Sequence, residues 1–359
     1  MMMIYINKKI LLLIIVLIYT NIFTVLSQNK NSFFTGSIVQ NPFIEEIPFD
    51  LVEGRIIIKV NIKDNVYNFL FDTGAPVVVD NQIAKLLNKS KGYQSVFDSN
   101  GTIQNLPIQK IKEMKIGNII FKNITNFVAD LKFINEIGCI NIQGVVGANL
   151  MANAVWQINY LEKKIIFTND VNSLHLSSDN KPIKFTTAKI GTPIIPFHLI
   201  ESKVSNVIID TGSRTSFTIS KNDSQNIHKD YRTITSYELC TGAFGVQLDT
   251  IQTFNCKNIM VGDNNIKLDS TLVVIRNRKV TKKIGFEVLK NYIITLDWKN
   301  NDAYFQKLVY NPLENQNSFG FNLIYYEGKV IIGNIYKNSL ADLNGIKLFD
   351  EVLRINDIN

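Results

Sequence analysis

The sequence predicts an all-β protein made of two tandem copies of one β-rich unit, followed by a C-terminal segment with a different pattern. Three observations support this class. Two separate pairs of sequence blocks recur at one constant spacing, as expected for an internal duplication. Short runs rich in Ile, Val, Phe and Thr are separated by Asn, Gly and Asp, which is typical of strands and turns. Few segments have the length and periodicity of a helix.

The N-terminus has the pattern of a secretory signal peptide. Two lysines precede the apolar run Ile10–Tyr19, and small residues follow near Ser27. We therefore expect cleavage after residues 1–27 and export of the protein to the periplasm, the cell surface or the medium. The alternative is an uncleaved anchor, and a membrane is a predicted partner only in that case.

The duplication rests on two blocks in one register. YNFLFDTGAPVVV (Tyr67–Val79) matches SNVIIDTGSRTSF (Ser205–Phe217), with an offset of 210 − 72 = 138 between their aspartates. Without gaps, Gly144–Phe167 aligns with Lys282–Phe305 at the same offset. Two blocks in one register are much harder to obtain by chance than one tripeptide, so they indicate two copies of one unit.

These copies divide the chain, and the polar, aperiodic stretch between them is predicted to be a linker. The predicted parts are a signal peptide (1–27), an N-terminal leader (28–45), lobe 1 (46–170), a linker (171–185), lobe 2 (186–310) and a partial domain (311–359).

Local patterns predict individual elements within the lobes. Asn-Gly readily adopts the positive φ angles of a tight turn, so Asp98–Gly101 is a predicted hairpin tip. Two short helices are expected, at Asn81–Lys91 and Gly285–Lys290. Strands are predicted at Arg55–Ile62, Ile116–Phe121, Ile165–Thr168 and Thr271–Ile275.

The C-terminal segment Ser318–Asn359 has a different pattern. A glycine turn enters a strand, a short helix follows at Ser339–Leu343, and a strand is predicted at Asp350–Asn356. This arrangement resembles a PDZ domain, with Phe319–Phe321 as the carboxylate-binding loop. The resemblance implies that the segment binds a peptide terminus. The sequence ends before the second helix of such a domain, so we expect a partial PDZ-like domain.

Composition excludes several functional classes. The net charge of +7 comes from scattered basic residues rather than an arginine-rich stripe, so no nucleic-acid partner is predicted. Three histidines and three cysteines show no zinc-binding spacing, and we expect neither a metal nor a cofactor. A bridge between Cys240 and Cys256 and buried free thiols are both compatible with the sequence.

The repeated D-T-G has a direct chemical interpretation. An apolar strand leads to the aspartate, and the glycine lets the backbone turn and approach a neighbour closely. If two such units pack together, Asp72 and Asp210 meet. Two carboxylates about 3 Å apart share a proton, so one can activate a water as a base while the other acts as an acid.

These motifs resemble those of a known family. FDTGAP at 71–76 and IDTGSRTSF at 209–217 are similar to the active-site motifs of aspartic peptidases of the retropepsin and pepsin clan, here of a bilobal, bacterial type. Val145–Gly147 and Lys283–Gly285 resemble the apolar element behind each aspartate. The resemblance implies two retropepsin-like β-barrel lobes arranged as a pepsin-like pseudo-dimer, with a polypeptide substrate in the cleft between them.

The resemblance also assigns roles to individual residues. Asp72 and Asp210 are the expected catalytic pair, and a flap over the cleft is expected at the turn of Asn100 and Gly101, with Gly242–Gly245 as its counterpart. The supporting residues are Thr73 and Thr211, which would exchange hydrogen bonds, and Gly74 and Gly212, which would permit close approach.

Three departures from the family pattern bear on activity. Lys283 occupies an apolar position, no tyrosine lies at the flap tip, and Arg214 follows the second motif directly. The sequence therefore predicts an aspartic endopeptidase that hydrolyses polypeptides. The alternative is an inactive peptide-binding scaffold with the same fold and a PDZ-like segment.

Overall fold

The structure is a computed structural model, and its described part is mostly β, with 53% strand and 10% helix. The prediction of an all-β fold is confirmed. The predicted signal peptide lies outside the described residues, as does most of the leader. The described ranges are 36–177, 181–199, 205–224, 233–256, 259–262, 266–268, 271–308 and 318–355.

The first part of the described chain, residues 36–177, contains a closed barrel of six strands. Its strands and helices are β1 (Ser37–Ile38), β2 (Ile44–Pro48), β3 (Asp50–Val52), β4 (Arg55–Ile62), β5 (Asn65–Asp72), β6 (Val78–Val79), α1 (Asn81–Leu86), β7 (Tyr93–Phe97), β8 (Ile103–Ile116), β9 (Ile119–Val128), α2 (Lys132–Gly138), β10 (Gly144–Gly147), α3 (Ala148–Met151), β11 (Val155–Asn159) and β12 (Lys164–Thr168). Strands pair in the order β4, β5, β10, β6, β9 and β8, and β8 also pairs with β4, which closes the ring.

The second part, residues 181–308, repeats this strand order. Its elements are β13 (Ile183–Lys184), β14 (Thr186–Thr187), β15 (Pro193–Leu199), β16 (Ser205–Ile209), β17 (Phe217–Ser220), β18 (Ile234–Gly242), β19 (Gly245–Cys256), β20 (Ile259–Val261), β21 (Ile266–Leu268), β22 (Thr271–Arg276), β23 (Lys283–Ile284), α4 (Phe286–Leu289), β24 (Tyr292–Asp297) and β25 (Asp302–Lys307). The order β15, β16, β23, β17, β22 and β19 matches the first series, and each neighbouring pair has the same direction.

A third sheet joins the two parts through the antiparallel pair β11 and β24. Gln157 pairs with Thr295, and the flanking pairs are Trp156 with Leu296 and Ile158 with Ile294. Gln157 and Thr295 are themselves separated by 295 − 157 = 138 residues, so each strand pairs with its own counterpart in the duplication.

Aromatic side chains pack directly behind the first D-T-G strand. Trp156 stacks on Phe167 with 4.4 Å between ring centroids, and it lies 5.4 Å from Phe71. All three rings are fully buried, and the Trp156 indole N–H donates to the Met151 carbonyl at 2.8 Å. This packing fixes the end of β5, where Asp72 lies.

The C-terminal part consists of β26 (Phe321–Tyr326), β27 (Lys329–Tyr336) and α5 (Leu340–Leu343). The helix predicted at Ser339–Leu343 is confirmed, with Ser339 as its N-cap. The strand predicted at Asp350–Asn356 is wrong within the described residues, where Glu351 makes an isolated bridge to Ile331. β27 pairs with β18, so this segment extends the second sheet.

Some of the other local predictions are confirmed and others are not. Strands at Arg55–Ile62, Ile165–Thr168 and Thr271–Ile275 and the helix near Gly285–Lys290 are confirmed. The helix predicted at Asn81–Lys91 ends earlier, at Leu86, and α2 and α3 were not predicted at all. The strand predicted at Ile116–Phe121 is confirmed in part, because Ile116 ends β8 and Ile119–Phe121 begin β9, with a turn between them. Gly117, at φ 56°, turns the chain there between β8 and β9, because glycine adopts positive φ without strain.

No helix in the described ranges has the length and hydrophobicity needed to cross a membrane.

Candidate active site

Asp72 is delivered by the end of a buried central strand. β5 runs parallel to β10, and Asp72 pairs with Gly147 in that register. The strand residues Phe69, Leu70 and Phe71 are buried, which holds the backbone in place up to the aspartate. Asp72 itself is partly buried.

Asp210 reaches the site in the equivalent way. It directly follows β16, which runs parallel to β23, and its backbone N–H donates to the Ile284 carbonyl at 3.0 Å. The residue is buried, with 8% of its surface exposed. Its carboxyl group hydrogen-bonds that of Asp72, so the structure brings the two predicted catalytic residues together.

Thr73 and Thr211 exchange hydrogen bonds below the two carboxyl groups, as expected from the sequence. Each backbone N–H donates to the other residue's Oγ1 at 3.0 Å. The Thr73 hydroxyl donates to the Ile209 carbonyl at 2.6 Å, and the Thr211 hydroxyl donates to the Phe71 carbonyl at 2.9 Å. Both threonines are fully buried, so these four bonds tie the two copies together in a water-excluded position.

Gly74 and Gly212 leave the space that the carboxyl groups need. A Cβ on Gly74 would lie 2.8 Å from Asp210 Cγ, and one on Gly212 would lie 2.3 Å from Asp72 Cγ. The backbone N–H of each glycine donates to the Oδ1 of the aspartate two residues before it, at 2.7 Å for Asp72 and 3.1 Å for Asp210. The predicted role of both glycines in close approach agrees with this geometry.

The environment favours a protonated Asp72. Burial and the nearby charge of Asp210 together raise the pKa of Asp72 to about 7, while the Gly74 N–H and the Lys283 ammonium oppose the increase. Two adjacent carboxyl groups titrate as a pair, and the pair holds one proton over a range of pH. This is the electrostatic arrangement that general acid and base catalysis by two carboxyl groups requires.

Lys283 lies against this pair, which the sequence did not reveal. Its Nζ is 3.1 Å from Asp210 Oδ2, and the side chains are only 17% and 11% exposed. The departure from an apolar residue was visible in the sequence, but the direction of the side chain depends on the packing of β23 between β16 and β17.

Arg55 and Tyr160 are two further neighbours that sequence reasoning missed. Burial lowers the pKa of Arg55 to about 10, while the charge of Asp72 acts in the opposite direction. Burial and the charges of Asp210 and Asp72 raise the pKa of Tyr160, whose buried hydroxyl has no hydrogen-bond partner. Tyr160 packs edge to face on Phe286, 5.5 Å between centroids. Neither residue lies in a recognisable motif.

The Arg214 side chain is directed towards Glu53. Its guanidinium lies 3.6 Å from the Glu53 carboxylate, and the side chain is 45% exposed. Arg214 thus makes its ion pair with Glu53, whereas Lys283 makes one with Asp210.

The predicted flap, at Asn100 and Gly101, is the tip of the β7–β8 hairpin, and it contacts the β18–β19 tip at Gly242–Gly245. The buried Asn100 amide donates to the Cys240 carbonyl at 2.9 Å and to the Gly245 carbonyl at 3.3 Å. Asp98 accepts the Phe244 N–H at 3.0 Å. The two hairpin tips therefore hold each other closed. Tyr93 lies at the other end of β7 and is exposed.

Asn100→Ala should loosen this contact. The change removes two hydrogen bonds to the other tip, each worth about 1 kcal/mol, so amide exchange at residues 242–245 should accelerate about 30-fold. Hydrogen exchange followed by mass spectrometry measures this. Asn105→Ala is the control, because Asn105 bonds Ser95 within its own hairpin. Equal exchange at residues 242–245 in both variants would show that Asn100 does not hold the tips together.

Metal and disulfide sites are not found in the described ranges. No three His, Cys, Asp or Glu side chains there converge on a point where a metal ion could bind. Cys139 is exposed, Cys240 and Cys256 are buried, and none of the three forms a disulfide. Of the two arrangements compatible with the sequence, buried thiols without a disulfide at Cys240 and Cys256 are confirmed.

Comparison with known proteins gives one family match. Residues 58–150 match the family model described as aspartyl protease, a range that includes Asp72 but not Asp210. No curated protein matches the sequence. Among the 390 matching chains of solved structures is basic 7S globulin from soybean, at 12% sequence identity. The alignment covers 74% of this chain and 95% of the globulin, with a TM-score of 0.44.

Proposed function

We propose that this protein is an aspartic endopeptidase that hydrolyses peptide bonds in polypeptides with a water activated between Asp72 and Asp210. The observation that carries the proposal is the hydrogen-bonded carboxyl pair, set on the reciprocal bonds of Thr73 and Thr211. The aspartyl protease match over residues 58–150 supports the same function.

The proposal includes a pseudo-dimer of two retropepsin-like lobes. Reciprocal contacts support it: each threonine bonds the other, and each glycine faces the other copy's aspartate. The register of β11 on β24, centred on Gln157 and Thr295, supports the same pseudo-twofold axis. A single chain then supplies both carboxyl groups without a second copy of itself.

The chemistry follows from the shared proton. The ionised carboxylate takes one proton from the water, whose oxygen bonds to the scissile carbonyl carbon. The protonated carboxyl group gives its proton to the carbonyl oxygen, and a neutral tetrahedral diol results. When the C–N bond breaks, the amine nitrogen takes the first proton from the carboxyl group that removed it from the water. The diol returns the second proton to the other carboxylate. Neither a metal nor a covalent enzyme intermediate is needed.

The proposed substrate is an extended polypeptide in the cleft between the lobes. Because the hairpin tips at Asn100 and Gly245 are hydrogen-bonded to each other, they must separate before a polypeptide chain can enter the cleft. A polypeptide with local flexibility satisfies this requirement better than a compact folded protein. Unfolded proteins and peptides are therefore the proposed substrate class.

The proposal places this activity outside the cytoplasm, in the periplasm, at the cell surface or in the medium. The signal-like pattern of residues 1–27 supports export. The PDZ-like segment is proposed to bind a peptide terminus through the loop Phe319–Phe321, which leads into β26, a strand that pairs only with β27 among the described strands. Gly320, at φ 90°, forms the turn that enters this strand.

Digestion of an unfolded protein tests the proposed function. The full chain should cleave internal peptide bonds, detected by mass spectrometry, over a range from about pH 3 to about pH 7. A pepstatin-type peptide, whose hydroxyl imitates the tetrahedral diol, should inhibit it with an affinity at least about 10²-fold above that of a substrate peptide. Intact peptides at every pH would contradict the proposal.

One observation favours the alternative of an inactive peptide-binding scaffold. The Lys283 ammonium contacts Asp210 Oδ2 and competes with a water for that oxygen. A scaffold would bind peptides and release them uncut, and it would bind a pepstatin-type inhibitor no more tightly than an ordinary peptide. The digestion experiment separates the two functions.

A further inference from the structure

Lys283 gives the two aspartates different surroundings, although the duplication makes their positions equivalent. The residue that corresponds to Lys283 in the first copy is Val145, since 283 − 145 = 138. Val145 packs in an apolar cluster with Ile57 and Leu70. In the second copy, the Lys283 ammonium contacts Asp210 Oδ2 at 3.1 Å.

The backbone keeps Lys283 at this place. In β23 it pairs with Ile208 of β16 and with Thr218 of β17, so it lies inside the sheet with strands on both sides. The neighbouring residue, Lys282, bonds Ser205 and Asp223 instead. Two adjacent lysines thus have separate partners, and Lys283 is the one whose ammonium reaches Asp210.

Other charged and titratable groups also surround the pair. Arg55 on β4 and the hydroxyl of Tyr160 interact electrostatically with Asp72, and Tyr160 also interacts electrostatically with Asp210. Arg214, beyond the second motif, forms an exposed ion pair with Glu53, and its charge also acts on Arg55. None of these contacts joins a cation to an Asp210 oxygen, and Lys283 supplies that contact.

We propose that Lys283 is a positioning residue that keeps Asp210 ionised, so that the shared proton resides on Asp72. This rests on the proposed peptidase function and assigns its two roles. Asp210 is the base that takes a proton from the attacking water, and Asp72 is the acid that protonates the carbonyl oxygen.

The physical basis is a charge balance in a poorly hydrated site. A partly buried ammonium and carboxylate that contact each other stabilise each other's charged forms, and removing one partner leaves the other's charge uncompensated. Among the described residues no cation makes such a contact with Asp72, and burial together with the charge of Asp210 raises its pKa to about 7. The cation thereby favours ionisation of both carboxyl groups. Its effect is larger at Asp210, because it contacts that residue.

Lys283→Val, which copies the first lobe, tests the proposal through the pH dependence of kcat/KM. Activity requires Asp210 ionised and Asp72 protonated, so the acid limb reports the first ionisation and the alkaline limb the second. Without the ammonium both limbs should move to higher pH, the acid limb by about 1–3 units. Activity on the acid side should fall at least about tenfold, while activity above the original alkaline limb increases.

Two further variants separate charge from structure. Lys283→Arg keeps the positive charge and should retain the original pH profile. Lys282→Val removes the adjacent lysine, which contacts Ser205 and Asp223, and should also leave the profile unchanged. An unshifted acid limb in Lys283→Val, or the same shift in Lys282→Val, would overturn the proposal.

A carboxyl titration by ¹³C NMR of aspartate-labelled full-length protein gives a readout that does not need turnover. In the original protein the pair should ionise in two separate steps, and in Lys283→Val the first step should move to higher pH. If no form cleaves peptides but the titration shifts, the proposed function fails and the role of Lys283 in the pair stands. An unchanged titration overturns the role of Lys283, whatever the activity.

Discussion

Replacing Asp72 or Asp210 by Asn is expected to lower kcat/KM for an unfolded polypeptide about 10²–10⁴-fold, while the protein stays folded. An amide has nearly the shape of the carboxyl group, and it can still accept the N–H of Gly74 or Gly212. It cannot take a proton from water or deliver one to a carbonyl oxygen. Steady-state cleavage of a peptide with a fluorescent reporter measures the loss.

Asp80→Asn is the matched control for both variants. Asp80 accepts the Ile83 N–H at 2.8 Å as the N-cap of α1, and asparagine caps helices equally well. This variant should keep full activity and stability. Undiminished turnover in Asp72→Asn or Asp210→Asn would end the proposal that these two carboxyl groups carry the reaction.

The Asp72→Asn variant should also change how stability depends on pH. Because the pKa of Asp72 is raised to about 7, the folded protein binds more protons than the unfolded chain between about pH 4 and pH 7, and stability falls as pH rises through this window. Asparagine does not titrate, so the free energy of unfolding should fall less across that window in the variant. Urea unfolding at several pH values measures this difference even without peptidase activity.

Thr73→Val should cause the second large effect, a loss of stability together with a loss of activity. Valine keeps the shape of threonine but removes the hydroxyl that donates to Ile209 and accepts from the Thr211 N–H. Two buried backbone groups then lack partners, at about 1–3 kcal/mol each. Urea unfolding should show a loss of about 2–5 kcal/mol. The carboxyl pair should also separate, because Thr73 joins the two copies.

Thr168→Val separates these two effects. Thr168 is as fully buried as Thr73, and its hydroxyl donates to the Phe43 carbonyl at 2.7 Å and accepts the Asp170 N–H at 3.2 Å. It should cost a similar amount of stability without changing kcat/KM of the folded protein. Equal activity in the two valine variants would contradict the role of Thr73 in positioning the carboxyl pair.

The duplication made the central residues of the site predictable from the sequence. The offset of 138 residues identified Asp72 and Asp210 as equivalent, and the D-T-G sequence assigned Thr73 and Gly74 before any contact was known. Strands such as Arg55–Ile62 were also predictable, because a dense β-branched run bounded by turn residues has few alternatives. The error at Ile116–Phe121 came from treating Gly117 as part of a strand rather than as its end.

By itself the sequence determined an all-β protein with a repeated D-T-G, because strand propensity, turn residues and an internal repeat are properties of neighbouring residues. The tertiary structure decided which distant groups meet. The Lys283 ammonium on Asp210, the Arg55 guanidinium near Asp72 and the contact of Asn100 with Gly245 join residues far apart in the chain. Such contacts depend on how strands pair and which face each side chain takes, and a one-residue change of register would direct Lys283 away from the carboxyl pair.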